Sequence, residues 1–325
     1  MNALVWPMIF IESIAVARDA SRMLVATEDG GASEWRLPEA KLVLGLAAPP
    51  PEPLAPDAVA TEHDEAPDAI AVRPDGREVL VARGARVLRH AMADGRVTGE
   101  WRSPSGSIRS LAWSPDGRVV ALVARGDGTV HLVRPEDGSA LRGLEVDREA
   151  WAAGFSPDGR LVAVGSAAGG TTLFDASRGS RRSVIDPAGR PVTGVGFLRE
   201  RDGLRLVTSS RSGVVATWAV RDGRRIGESP PGRGFHALAV DPVGGRIAIG
   251  GSEGDLRLVA PDGRVVERLL WHGAEVSGLA FADRLLVSGD RSGRVAVWDL
   301  AEPAPSPTPA PRARTATTTR HPRLP

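Results

Sequence analysis

The pentapeptide Gly250-Gly251-Ser252-Glu253-Gly254 has the G-x-S-x-G spacing of a hydrolase nucleophile elbow. That chemistry needs a sharp strand-to-helix turn that lifts the serine above a mixed sheet, with a base close by. The flanking runs, "RIAI" and "LRLV", are strand-like on both sides, so no catalytic serine is expected here. His63-Asp64-Glu65 resembles the start of a metal cluster, but metals of the zinc type want three or four ligands fixed in geometry. This triplet lies in a Pro-rich acidic segment and reads as a solvated charge run. The single lysine, Lys41, follows no Gly-rich loop, which excludes a P-loop or kinase-type phosphate site. The chain has no cysteine, and with it go disulfides, thiolate nucleophiles and Cys-based zinc sites. No catalytic residue, metal or cofactor is expected.

The bulk charge gives no stronger lead. The formal net charge of the 325 residues is +1, so no global field points to nucleic acid or to an anionic membrane. Forty arginines against one lysine, one asparagine (Asn2), and no glutamine or tyrosine read as the codon bias of a GC-rich bacterial genome. The apolar run Leu4 to Ile11 is broken by Pro7, lacks a preceding basic residue, and is too short to span a bilayer. A cytoplasmic protein without membrane contact is expected.

The elements that position any site come from a repeat. Arg73-Pro74-Asp75-Gly76, Ser114-Pro115-Asp116-Gly117, Ser156-Pro157-Asp158-Gly159 and the looser Asp241-Pro242-Val243-Gly244-Gly245 recur about every forty residues. A second series, Asp94-Gly95, Asp137-Gly138, Asp222-Gly223 and Asp262-Gly263, falls between them. In such turns Pro presets φ, Asp bonds its own backbone and Gly takes positive φ. The intervening runs of Val, Leu, Ile and Ala read as strands. Two hairpins per repeat of this length is the period of a β-propeller, whose blades bury their faces only against neighbours. Seven innermost strands are expected, at Ile11 to Val16, Asp68 to Val72, Ile108 to Trp113, Ala150 to Phe155, Val192 to Phe197, Phe235 to Val240 and Val276 to Phe281.

With these features the chain resembles the WD-repeat family over roughly residues 3 to 300, most clearly in "WHGAEVSGLAFADRLLVSGDRSGRVAVWDL", Trp271 to Leu300. Five residues after the turn glycines Gly30, Gly169, Gly213 and Gly293 come Trp35, Phe174, Trp218 and Trp298. The resemblance implies that these aromatics are structural. It also implies a hydrogen-bonded set of His, Ser or Thr, Asp and Trp, for which the last repeat offers His272, Ser288 and Trp298, with Ser292 where the Asp is expected. The expected fold is therefore all-β: a seven-bladed propeller of four-stranded antiparallel blades with degenerate repeats.

The last repeat stops at its third strand, and the orphan run Ala3 to Phe10 is expected to supply the fourth, because an unfinished blade leaves an unpaired edge. Residues 1–300 are thus expected to form the propeller, with 47–67 as an acidic Pro-rich loop insertion. Residues 301–325, rich in Pro, Ala, Thr and Arg, are expected to be a disordered tail.

The resemblance places partner binding on the face that carries the channel mouth. The second residue of each innermost strand falls there, including Arg109, Trp151 and His236, and the adjoining turns add Arg83, Arg125, Arg211 and Arg291. Trp and Arg dominate binding hot spots. The four turn arginines favour an acidic protein partner; a solvated face with scattered charges is the competing reading. Nucleic acid is not expected, because the basic pairs Arg181-Arg182 and Arg224-Arg225 lie on the periphery with little aromatic interleaving. The expected function is a monomeric, non-enzymatic interaction scaffold. The alternative is a propeller enzyme acting on a small molecule in the channel, for which the near-absence of Asn and Gln removes common ligands.

Overall fold

The computed structural model describes residues 2–5, 11–16, 22–27, 32–36, 41–46, 68–185, 190–232, 234–241 and 244–300. The expected loop 47–67 and tail 301–325 lie outside the described residues. The described elements are all strands. After β1 (Asn2–Val5) come β2 (Ile11–Val16), β3 (Arg22–Thr27), β4 (Ala32–Arg36), β5 (Lys41–Leu46), β6 (Ala69–Val72), β7 (Glu78–Arg83), β8 (Arg86–Ala91) and β9 (Val97–Arg102). Next are β10 (Ile108–Trp113), β11 (Val120–Ala124), β12 (Thr129–Val133), β13 (Ala140–Glu145), β14 (Ala150–Phe155), β15 (Leu161–Ser166), β16 (Thr171–Asp175) and β17 (Arg181–Ile185). The chain continues through β18 (Val192–Glu200), β19 (Gly203–Ser210), β20 (Val215–Ala219), β21 (Arg225–Glu228), β22 (Phe235–Asp241), β23 (Arg246–Gly251), β24 (Leu256–Val259) and β25 (Val265–Leu269). It ends in β26 (Val276–Ala282), β27 (Leu285–Asp290) and β28 (Arg294–Asp299).

From β2 onward, consecutive strands pair in fours into antiparallel sheets, and β26, β27 and β28 take β1 as their fourth strand. The first strand of each sheet packs against the first strand of the next, from β2 through β6, β10, β14, β18, β22 and β26 and back to β2. The molecule is thus an all-β propeller of four-stranded antiparallel blades around a central channel. β1 pairs with β28 in the register Asn2 to Val297 through Val5 to Arg294. The pairing segment is shorter than the run Ala3 to Phe10 expected to close the ring; residues 6–10 lie outside the described residues.

The turn chemistry explains the regularity. In the turn between β10 and β11, Gly117 adopts φ +69° and its N–H donates to the Ser114 carbonyl at 2.9 Å. The Ser114 hydroxyl donates to Asp116 at 2.6 Å and accepts the Val119 N–H at 3.0 Å. The same set recurs at Ser156, Asp158 and Leu161, at 2.6 and 3.0 Å.

The cores lie between sheets. In β11 all five residues are buried, and alternate side chains point to opposite neighbours. Leu122 packs with Leu80, Trp101 and Trp113 on one side, while Ala121 and Val123 pack with Val162, Val164 and Phe174 on the other. Each fully buried leucine of this kind contributes about 1.5–3 kcal/mol of transfer free energy. The outer strands β9, β13, β17 and β25 each keep a single anchor: in β13 only Leu144 is buried. Two tryptophans also bridge sheets by hydrogen bonds, Trp113 Nε1 to the Ala71 carbonyl at 2.9 Å and Trp101 Nε1 to the Pro135 carbonyl at 3.1 Å.

Candidate functional site

A backbone irregularity shapes the channel mouth. The pairing of β10 with β11 skips Arg109, that of β14 with β15 skips Trp151, and those of β18 and β26 with their partners skip Thr193 and Ser277. A β-bulge leaves its extra residue out of the ladder and re-aims the side chain. Those four residues accordingly line a cavity of about 570 Å³, together with Ile14, Leu238 and Arg211 from the turn between β19 and β20. β2 and β22 skip Glu12 and His236 in the same way. The side chain of His236 lies outside the described residues.

Trp151 is the centre of this mouth. The guanidinium carbon of Arg109 lies over its ring at 5.0 Å from the centroid, and that of Arg211 at 5.6 Å. Both fall within the range of cation–π attraction.

Three rim arginines, Arg125, Arg291 and Arg109, are held by carboxylates. Arg125 donates to Asp68 at 3.1 Å, and the other oxygen of Asp68 accepts the Gly84 N–H at 2.7 Å. Arg291 sits 3.4 Å from Glu275. Arg109 donates to Glu149 at 3.0 Å, and Glu149 also accepts the Gly126 N–H at 3.1 Å. The Gly126 N–H, with help from the Trp151 indole and Arg109, outweighs burial and keeps the Glu149 carboxyl below its ordinary value. Arg83 ends β7, half-buried and away from the cavity lining. Of the expected rim residues, Trp151, Arg109 and Arg211 come together, while Arg125 turns to Asp68. The arginine-rich rim is also largely self-neutralised. Asp68, Glu149 and Glu275 each stand just before an innermost strand; the sequence reading placed Asp68 inside its strand and assigned Glu149 and Glu275 no role.

The structural set in the last sheet is more complete than expected. Trp298 Nε1 donates to Ser288 Oγ at 2.8 Å, Ser288 Oγ lies 2.7 Å from His272 Nε2, and His272 Nδ1 lies 2.9 Å from Asp290 Oδ2. A carboxylate can only accept, which fixes a proton on Nδ1; in the neutral ring Nε2 then accepts the serine hydroxyl. Asp290 fills the acidic role assigned by register to Ser292. Ser292 instead donates its N–H and hydroxyl to the other oxygen of Asp290, at 2.9 and 2.6 Å. Burial pushes the Asp290 carboxyl up, but hydrogen bonds from His272, Ser292 and the Arg294 N–H outweigh it and hold it below its ordinary value. The sheet of β18–β21 keeps half of this arrangement, Trp218 Nε1 donating to Thr208 Oγ1 at 3.0 Å. Phe174 is buried at the same offset, and the side chain of Trp35 lies outside the described residues.

Gly250 and Gly251 end β23, and Ser252 opens the turn to β24, so the G-x-S-x-G pentapeptide sits in a hairpin and not in a strand-to-helix elbow. Among the described residues no group of three or more His, Asp or Glu could hold a metal, and no helix is long and apolar enough to cross a membrane. His63, Asp64 and Glu65 lie outside the described residues.

Blade architecture and a shared channel define the class, a β-propeller, with a hydrogen-bonded His–Ser–Asp–Trp set inside its last sheet. Residues 64–154 match the family model of the anaphase-promoting complex subunit 4 WD40 domain. Over 80 residues the chain is 38% identical to telomerase protein component 1 of Rattus norvegicus, a match that covers 24% of this chain and 3% of that protein. The family match and the propeller arrangement together support a WD-repeat propeller.

Proposed function

We propose that the chain is a non-enzymatic interaction module, a single seven-bladed propeller over residues 1–300 that holds a protein partner at its channel mouth. The observation that carries this reading is Trp151, lifted out of its ladder by a bulge and overlaid by Arg109 and Arg211 at the edge of the cavity. Tryptophan and arginine give the largest losses when removed from protein interfaces, especially at the centre of a patch. The WD40 match supports a binding role. The reading extends to a cytoplasmic monomer in a bacterial host.

The test is capture by the tagged full chain from host lysate, followed by affinity measurement with the purified partner. Trp151→Ala is expected to weaken binding by at least about 2 kcal/mol, the hot-spot scale. Val266→Ala, on the exposed outer strand β25, serves as the control and leaves it unchanged. Equal affinity of wild type and Trp151→Ala sinks the reading.

A further inference from the structure

We infer that the channel mouth receives one carboxylate from the partner polypeptide, an acidic side chain beside an apolar residue, with Arg211 as its ion partner. This rests on the partner reading above and goes beyond it in naming the chemistry received. Arg109, Arg125 and Arg291 each have a carboxylate partner, whereas the exposed Arg211 guanidinium makes no ion pair among the described residues. The Arg109 Nε–H is buried and has no hydrogen-bond partner among the described residues, although the side chain lines the same cavity. No carboxylate is among the described lining residues.

Charge selects the ligand. Among the described residues, two guanidiniums, Arg109 and Arg211, stand against the one carboxylate of Glu149, a balance of one positive charge at the mouth. A carboxylate matches that charge and the planar donors of a guanidinium. A phosphate, with nearly two negative charges, overshoots it. The indole of Trp151 and the small or apolar Ala152, Ala237 and Leu238 offer contact to an apolar neighbour of the acid.

The experiment is panning of a random peptide display library on the immobilised full chain, its Arg211→Gln variant and its Trp151→Ala variant. Because Arg211 is exposed and makes no ion pair among the described residues, Arg211→Gln is expected to melt like wild type. Wild type should enrich peptides with one Asp or Glu next to an apolar residue, and Arg211→Gln should lose that acidic preference. For the best peptide, changing its acid to the amide and changing Arg211 to Gln should each weaken binding by about tenfold or more, with little further loss when combined. Acetate should displace it at lower concentration than phosphate at matched ionic strength, and Arg125→Gln should change nothing. Acid-free peptides whose enrichment still needs Trp151 overturn the carboxylate inference and leave the partner reading standing. Enrichment indifferent to both Trp151 and Arg211 overturns both. Absence of enrichment, or stronger displacement by phosphate, overturns the inference alone.

Discussion

His272 Nδ1 and Asp290 Oδ2 meet at 2.9 Å inside the last sheet, with both side chains fully shielded from solvent. Asp290 also gathers the N–H groups of Ser292 and Arg294, so its removal leaves several donors without an acceptor. Asp290→Ala should therefore cost about 2–4 kcal/mol, because each buried unsatisfied donor carries its own desolvation penalty. Ser292→Ala, which leaves the His272–Asp290 contact in place, should cost about 1 kcal/mol or less. Urea denaturation of both variants checks the ranking, and a reversed order would return the acidic role to position 292.

The same carboxylate gives the fold a pH signature. Its folded value lies below the ordinary 3.8, so it favours the folded state above the unfolded value. That contribution disappears as pH falls through the lower folded value. The stability difference between wild type and Asp290→Asn should be full at pH 7 and shrink below about pH 4. Denaturation midpoints across that range measure it. A difference that grows toward acid contradicts the assignment.

Ring closure depends on a short pairing. β1 meets β28 over four residue pairs, and without it the outer edge of β28 presents unpaired backbone donors and acceptors. Deleting residues 1–5 should lower the melting temperature and raise concentration-dependent association, read by calorimetry and light scattering. Unchanged melting with a monodisperse profile would show that the pairing is dispensable.

The tryptophans should separate into two kinds. Trp218 is buried and donates to Thr208, so Trp218→Ala should destabilise by about 3–5 kcal/mol. Trp151, half-exposed at the cavity, should cost about 1 kcal/mol or less on the same substitution. Chemical denaturation of the two variants decides it; comparable losses would make Trp151 a packing residue.

The frame was legible in the sequence because its signals are local. Pro-Asp-Gly turns set hairpins a few residues long, and the offset from turn glycine to aromatic placed Phe174, Trp218 and Trp298 without knowledge of distant contacts. What escaped was decided across sheets. Asp68 and Arg125 are 57 residues apart, and Glu149 and Arg109 are 40 apart, so no window of the chain shows that the rim charges cancel. The bulges escaped too, since an extra residue in a ladder changes no composition; they decide that Arg109 and Trp151 face the cavity. The misplaced acid had a simpler cause. Asp290 ends β27, two residues before the turn position used for registration, and the hairpin geometry that brings it to His272 is not a sequence pattern.

The pairing of Asn2 with Val297 also constrains the history of the chain during synthesis. Asn2 leaves the ribosome before its partner, which follows 295 residues later, counted as 297 minus 2. At about 5–20 residues per second, that wait is roughly 15–60 s. Throughout it the earlier sheets can stack on one another while the first strand stays single, and the ring exists only as an open arc. Moving the N-terminal strand to follow Leu300 by circular permutation would turn this last, longest-range step into one more local hairpin.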